Sequence, residues 1–425
     1  MSGRRQAFDC TARYASCLGL AGVIALVVLA APAAAQVAVR GGTVYTLAGA
    51  PIQDGVVVVR DGKIADVGPA SRVRIPEGFR VLEAPVVVPG LVDAHTVVGM
   101  AGYLNYPHDQ DQLDRSEPIQ PELRAIDGFN LREALVDWVR GLGVTTIHTG
   151  HGPGAVISGQ TMVTKTWGRD ADAAVLVPTA MLAATLGGEV VDSKIPKWPG
   201  TRAKALAMLR TKLVEAQEYR RKSKLGDTAK RPGRDLRLET LVRVLERELP
   251  LLVTVHRHQD ILAALRLGRE FEIRIVLDGV AEAHLVLDEI RAAGVPVIVH
   301  PTMERAGGYG QSASETENIS METPAKLRAA GIPMAMQSGY ESYVPKTRVV
   351  LFEAGLATAY GLSFEDALSS ITIDAAKILG VGDRVGSLER GKDGDIALFD
   401  GNPFEYTTHC VGVVVNGEVA SETPR

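Results

Sequence analysis

Imidazole and carboxylate groups recur at the ends of successive apolar runs. His95 closes Leu91 to His95, His148 sits in Val144 to Gly150, His256 in Leu251 to Arg257, Asp278 closes Ile273 to Asp278, and His300 sits in Val295 to Pro301. These side chains ligate metals and move protons near neutral pH. A lone histidine is more often a hydrogen-bonded structural residue than a ligand, so it is the recurrence that carries weight. His148 and His151 flank Gly150, and Tyr340, Glu341 and Tyr343 follow Gly339 at the end of the run Ile332 to Gly339. Within Gly150-His151-Gly152-Pro153-Gly154 the glycine spacing of a dinucleotide loop is absent and Pro153 interrupts a helix start, so phosphate cradling is rejected.

The elements that must position these groups follow from the same runs. Leu91 to His95, Val144 to Gly150, Thr161 to Trp167, Ala174 to Thr179, Leu251 to Arg257, Ile273 to Asp278, Val295 to Pro301 and Ile332 to Gly339 read as strands. Amphipathic stretches separate many of them: Arg202 to Lys222, Leu236 to Glu248, Asp260 to Phe271, Glu282 to Ala293 and Phe364 to Leu379. Strands alternating with helices predict an α/β chain built as a (β/α)8 TIM-type barrel, whose functional groups gather at the C-terminal strand ends. His95, His148, His256, Asp278, His300 and Gly339 all fall at or near such ends. Residues 222–234, rich in Lys, Arg, Gly and Pro, read as a solvated loop.

Short β-rich runs broken by Asp54-Gly55 and Asp61-Gly62 precede the barrel, and strand-like runs with an Asn416-Gly417 turn follow it. The two ends predict one composite β-sandwich domain, residues 36–88 with 381–425, around a barrel at 89–380. The first 35 residues read as a signal peptide: Arg4-Arg5, an apolar run from Leu18 to Ala30 and an Ala33-Ala34-Ala35 cleavage site. That run is short of the roughly 20 residues a membrane span needs, so no stable span is expected after cleavage. A periplasmic or secreted bacterial location follows, with the export route, general or twin-arginine, left open.

The 425 residues suit one large barrel plus an accessory unit. With 46% apolar and 23% charged residues the chain reads as globular, and a net charge of −4 offers no field for nucleic acid. A small-molecule partner is the expectation. Cys10 and Cys17 fall in the signal segment, leaving Cys410 alone and no disulfide framework.

Val88-Pro89-Gly90-Leu91-Val92-Asp93-Ala94-His95, the closing Gly386 to Asp395 segment and the composite end domain together resemble the amidohydrolase superfamily. Pro121 to Asp127, Gly143-Val144-Thr145-Thr146 and Gly159-Gln160 followed by Lys165-Thr166 are similar to its imidazolonepropionase-like, exported branch. The resemblance spans essentially the whole mature chain. It implies hydrolysis of a non-peptide C–N bond, in a cyclic amide, imide, small amide or short peptide. A divalent metal, zinc above all, would activate the water by lowering its pKa to about 7.

Matched residue by residue, His95 takes the first position of the family's His-x-His pair and Val97 the second. His256 or Thr254 takes the fifth-strand ligand position and Asp278 the sixth-strand histidine position. Lys165, or alternatively Glu189, takes the bridge, and Gly339 takes the eighth-strand aspartate position that shuttles the proton. The implied metal set is therefore His95, Lys165, His256 and Asp278, with His148, His300 and Tyr340 lining the substrate pocket. It is incomplete enough to leave a metal-free protein open. Because Val97 and Gly339 remove two groups the mechanism needs, the alternative is a catalytically inactive relative. Such a relative would bind a ligand, form a homo-oligomer or pair with an intact amidohydrolase as a regulatory subunit.

Overall fold

The computed structural model describes residues 36–104, 106–188, 190–300, 318–339 and 350–425. Strands β1 (Gln36–Val44), β2 (Ile52–Arg60), β3 (Lys63–Pro69) and β4 (Arg80–Pro89) form the leading sheet segment. After Gly90 the chain enters β5 (Leu91–Thr96), which pairs in parallel with β6 (Val144–Thr149). Gly90 is glycine for want of room, since a Cβ there would lie 2.8 Å from Thr145 Cβ.

The chain then makes a reversed stave from β7 (Gly159–Gln160) and β8 (Met162–Lys165), with β9 (Val175–Val177) beside β8 and β10 (Leu182–Thr185) following. Thr146 faces Lys165 in the antiparallel β6–β8 ladder, and Leu182 faces Gln160 in the antiparallel β10–β7 pair. From β10 the order continues in parallel through β11 (Leu251–Val255), β12 (Ile275–Gly279), β13 (Val297–Val299) and β14 (Met334–Met336). A bridge between Thr96 and Gly339 joins the last stave to the first. The result is a TIM-type barrel of mixed α and β content.

Two strand expectations need correction. Thr161 to Trp167 contributes an antiparallel stave, and Ala174 to Thr179 supplies only the flanking strand β9. The fourth stave is the four-residue Leu182–Thr185. The helices Arg202–Ser223, Leu236–Leu245 and His258–Phe271 match the sequence reading closely. Phe364 to Leu379 divides into Phe364–Ser370 and Ile373–Ile378, and Glu282 to Ala293 into a 3-10 turn and Leu287–Ala293.

Strands β15 (Ile396–Phe399), β16 (Cys410–Val415) and β17 (Glu418–Ser421) complete one seven-stranded sheet in the order β17-β16-β15-β4-β1-β2-β3. The chain's two ends thus share a sheet. Its junction with the barrel base is ionic. Lys165, fully buried, pairs with Asp395 and lies 3.1 Å from Asp393, which also holds Lys63 and Arg384. Gly90 donates its N–H to the Asp395 carbonyl, so this cluster sits where β5 begins.

Inside the barrel the staves present their side chains in layers. Val92, Leu252, Val276, Ile298 and Ala335 share a buried apolar cluster that forms the floor. Two residues beyond Leu252, Val276, Ile298 and Ala335, on the same inward parity, the side chains are polar: Thr254, Asp278, His300 and Gln337, all buried.

Candidate functional site

The polar layer is centred on Asp278. Its Oδ1 accepts from His95 Nδ1 at 3.1 Å and from Gln337 Nε2 at 2.7 Å, and its Oδ2 accepts from Thr254 Oγ1 at 2.7 Å. Burial raises the Asp278 pKa, but the neighbouring imidazole of His95, together with these hydrogen bonds, holds it below the usual carboxylate range. The register of β5 against β6 shifts between Asp93 and Thr96. This irregularity accompanies the turn of His95 toward Asp278 from a strand on which Val92 and Ala94 already face inward.

His148 stands beside this group, its ring centroid 5.5 Å from that of His95. Its Nδ1 meets the Ala94 carbonyl at 2.6 Å and its Nε2 meets Thr161 Oγ1 at 2.6 Å. The carbonyl can only accept, which assigns the proton to Nδ1. Burial, with the nearby His95, pushes the His148 pKa down to about 3, so the ring is neutral at physiological pH. Asp93 accepts from Ser338 N at 3.0 Å, from the Ser338 hydroxyl and from His95 N at 3.3 Å. Its pKa nonetheless rises to about 6, because burial outweighs those bonds.

His256 and His300 follow the ends of β11 and β13, and each ring packs over a glycine, Gly279 at the end of β12 and Gly339 just past β14. A Cβ at Gly279 would come within 3.0 Å of His256 Nδ1, and one at Gly339 within 2.9 Å of His300 Nδ1. His300 Nε2 also lies 3.5 Å from Oε1 of Glu353, a fully buried acid on the helix Val350–Ala359.

The structure therefore brings His95, His148, His256, Asp278 and His300 to one end of the barrel, as the strand-end reading expects. Lys165 is a correction: the antiparallel stave carries it to the opposite end, where Asp393 and Asp395 neutralise it. Carbamylation there would bring no ligand to His95. Glu189 and Tyr340 lie outside the described residues. Asp93, Gln337 and Glu353 were missed. Glu353 left one signal, an acid inside the apolar stretch Val350–Ala359.

These residues do not fit the metal centre that the resemblance implies. Val97 is apolar and buried at the second histidine position, and both Asp278 oxygens are engaged by Thr254, Gln337 and His95. Among the described residues no three His, Cys, Asp or Glu side chains converge as a metal-holding group. The layer is instead able to hold and pass protons. It offers imidazoles with assigned partners, a carboxyl whose pKa burial raises to about 6 in Asp93 and a His300–Glu353 pair facing a side-chain-free position.

Comparison with known proteins points the same way for fold. Residues 334–421 match the profile of the amidohydrolase family. An imidazolonepropionase of Rhizorhabdus wittichii is 26% identical over 398 residues, covering 82% of this chain and 88% of that protein. One of Shewanella oneidensis is 26% identical, covering 87% of this chain and 94% of that protein. The crystal structure of an amidohydrolase from Thermotoga maritima superposes with a TM-score of 0.84 at 26% identity, over 91% of this chain and 100% of its own. A zinc-bound adenosine deaminase from Xanthomonas campestris, 17% identical, shares the fold over 90% of this chain and 92% of its own, with a TM-score of 0.52.

Proposed function

Because the chain belongs to the amidohydrolase superfamily and is imidazolonepropionase-like, we propose that it hydrolyses the C–N bond of a small cyclic amide, imide or amide. The observation that carries this reading is the His300–Glu353 pair at the barrel mouth, against Gly339. In this reading the Glu353 carboxylate orients the His300 imidazole. His300 takes a proton from water as the oxygen attacks the carbonyl carbon, then returns it to the leaving nitrogen as the C–N bond breaks. The family generally uses a divalent metal for the first task. The donor set described above does not supply that site, and no step here passes through one.

Export through residues 1–35 to a periplasmic or secreted location belongs to the same reading. So does the division into a barrel at 89–380 and an accessory β unit from 36–88 and 381–425. Relatives named imidazolonepropionase make a five-membered cyclic amide a natural first substrate class to test.

The experiment is turnover of five- and six-membered cyclic amides and imides by the mature chain. Loss of turnover in His300→Ala, with a shifted pH profile and partial loss in Glu353→Gln, supports the reading. Undiminished turnover in His300→Ala overturns it. A second reading, a ligand-binding or regulatory relative without catalysis, is favoured by Val97 and Gly339. It predicts saturable binding of the same compounds with no product.

A further inference from the structure

The excursion that leaves β5 forms a cavity of ≈ 350 Å³ beside the start of the reversed stave, with His151 in its lining. His151 is 5% exposed, and among the described residues neither of its ring nitrogens has a hydrogen-bond partner. Such a group, hidden from water and unbonded, carries a desolvation cost that a ligand can relieve. The ring packs against Gly159, whose Cβ, if present, would sit 2.7 Å from Nε2, so it has no room to turn back into the barrel wall.

Glu122 contributes a second such atom. Its Oε1 accepts from Arg237 Nε at 2.7 Å, while its buried Oε2 has no partner among the described residues. Asp111 and Asp114 line the same cavity. The one guanidinium in the lining, Arg124, is turned to Asp127 through its Nε at 2.9 Å. Once the Arg124–Asp127 and Arg237–Glu122 pairs are set against each other, Asp111 and Asp114 leave the cavity net negative. Asp114 also acts electrostatically on His151, against the burial that lowers the imidazole pKa to about 4, so the ring is neutral at pH 7 and can accept a hydrogen bond.

The cavity thus presents acceptors to its contents. A bare metal ion suits it poorly, since among the described residues no three His, Asp or Glu side chains converge tightly enough to hold one. N–H donors spread over several ångströms suit it better. Met100, Leu113 and Leu123 add an apolar wall that a short hydrocarbon stem would cover.

We propose that the cavity at His151 is a binding site for an organic cation, a primary ammonium or guanidinium group on a short aliphatic stem, held by His151, Glu122, Asp111 and Asp114. The site stands on its own lining and does not depend on hydrolysis at the barrel mouth.

The test is calorimetric titration of the mature protein with n-butylammonium and n-butylguanidinium, set against butyrate and n-butanol. At least one cation saturates at a single site while butyrate and butanol do not. Asp111→Asn with Asp114→Asn, at exposed positions and with thermal unfolding checked because Asp114 Oδ1 accepts from Ser116 N at 2.6 Å, weakens the cation at least threefold, and Glu122→Gln weakens it further. His151→Phe, its thermal unfolding checked alongside, removes binding by filling the cavity without an acceptor. Failure of both cations to saturate, equal binding of butyrate or butanol, or cation affinity unchanged in the Asp111/Asp114 variant overturns the proposal.

Discussion

The imidazole of His300 occupies the space into which a side chain at Gly339 would project: a Cβ there would meet His300 Cε1 and lie within 2.9 Å of Nδ1. Position 339 is where the family's proton-shuttling aspartate is expected, and Gly339 also holds φ at +94°, which L-residues rarely adopt. Glycine here is coupled to the histidine beside it, and the pair has to be read together.

Restoring the aspartate by itself is therefore expected to fail. Gly339→Asp should cost about 1–3 kcal/mol from backbone strain and overlap. Part of this should return in Gly339→Asp with His300→Ala, giving a coupling energy of about 0.5 kcal/mol or more in a double-mutant cycle followed by urea unfolding. A Gly339→Asp protein as stable as the parent would contradict the packing described.

Acid should destabilise the fold below about pH 6.5. The pKa of His148 falls to about 3 and that of His151 to about 4, from an ordinary 6.5. Between the depressed and ordinary values the unfolded chain binds protons that the native one refuses. Stability is therefore complete above about 6.5 and drains away as pH falls. Asp93 acts in reverse, since its raised pKa of about 6 gives stability that is present below the ordinary carboxylate range and lost as pH rises through 6. Two histidines against one aspartate leave a net acid lability, His148 alone being worth on the order of 5 kcal/mol when fully expressed. Unfolding midpoints at pH 7.5, 6 and 4.5 should fall steadily in the parent and more gently in His148→Gln. Parallel slopes would count against a neutral buried imidazole.

Lys165 is expected to be structural. Replacement by Met strands Asp395 and weakens the neutralisation of Asp393 at the barrel base. Loss of one partner from a buried ionic group costs about 3–5 kcal/mol, softened here because Lys63 and Arg384 still face Asp393. Thermal unfolding should show a large drop, and ligand binding at the barrel mouth should persist in the folded fraction. A stable Lys165→Met protein with an altered mouth would reverse that assignment.

Much of the barrel was legible in the sequence because β5, β6 and β11 to β14 are buried on both faces and read as continuous apolar runs. Strand direction was not. Periodicity in Thr161 to Trp167 marks a strand but is blind to whether it runs up or down the barrel, and that one reversal moved Lys165 from the mouth to the base. Leu182–Thr185 escaped notice because four residues between loops carry little pattern.

At the site, His95, His148, His256, Asp278 and His300 were legible as strand-end groups. What they bind was not, because hydrogen-bond partners such as Gln337 for Asp278 and Glu353 for His300 come from distant chain segments with no shared motif.

A hydrogen-bonded layer around Asp278 stands where the resemblance to amidohydrolases implies a metal. Metal content of the purified protein, equilibrated with zinc and freed of excess, is the direct test. Well under one zinc per chain, a fold that survives chelation and no change in metal content on His95→Ala are expected. One or more zinc ions retained per chain and released by His95→Ala would contradict that expectation.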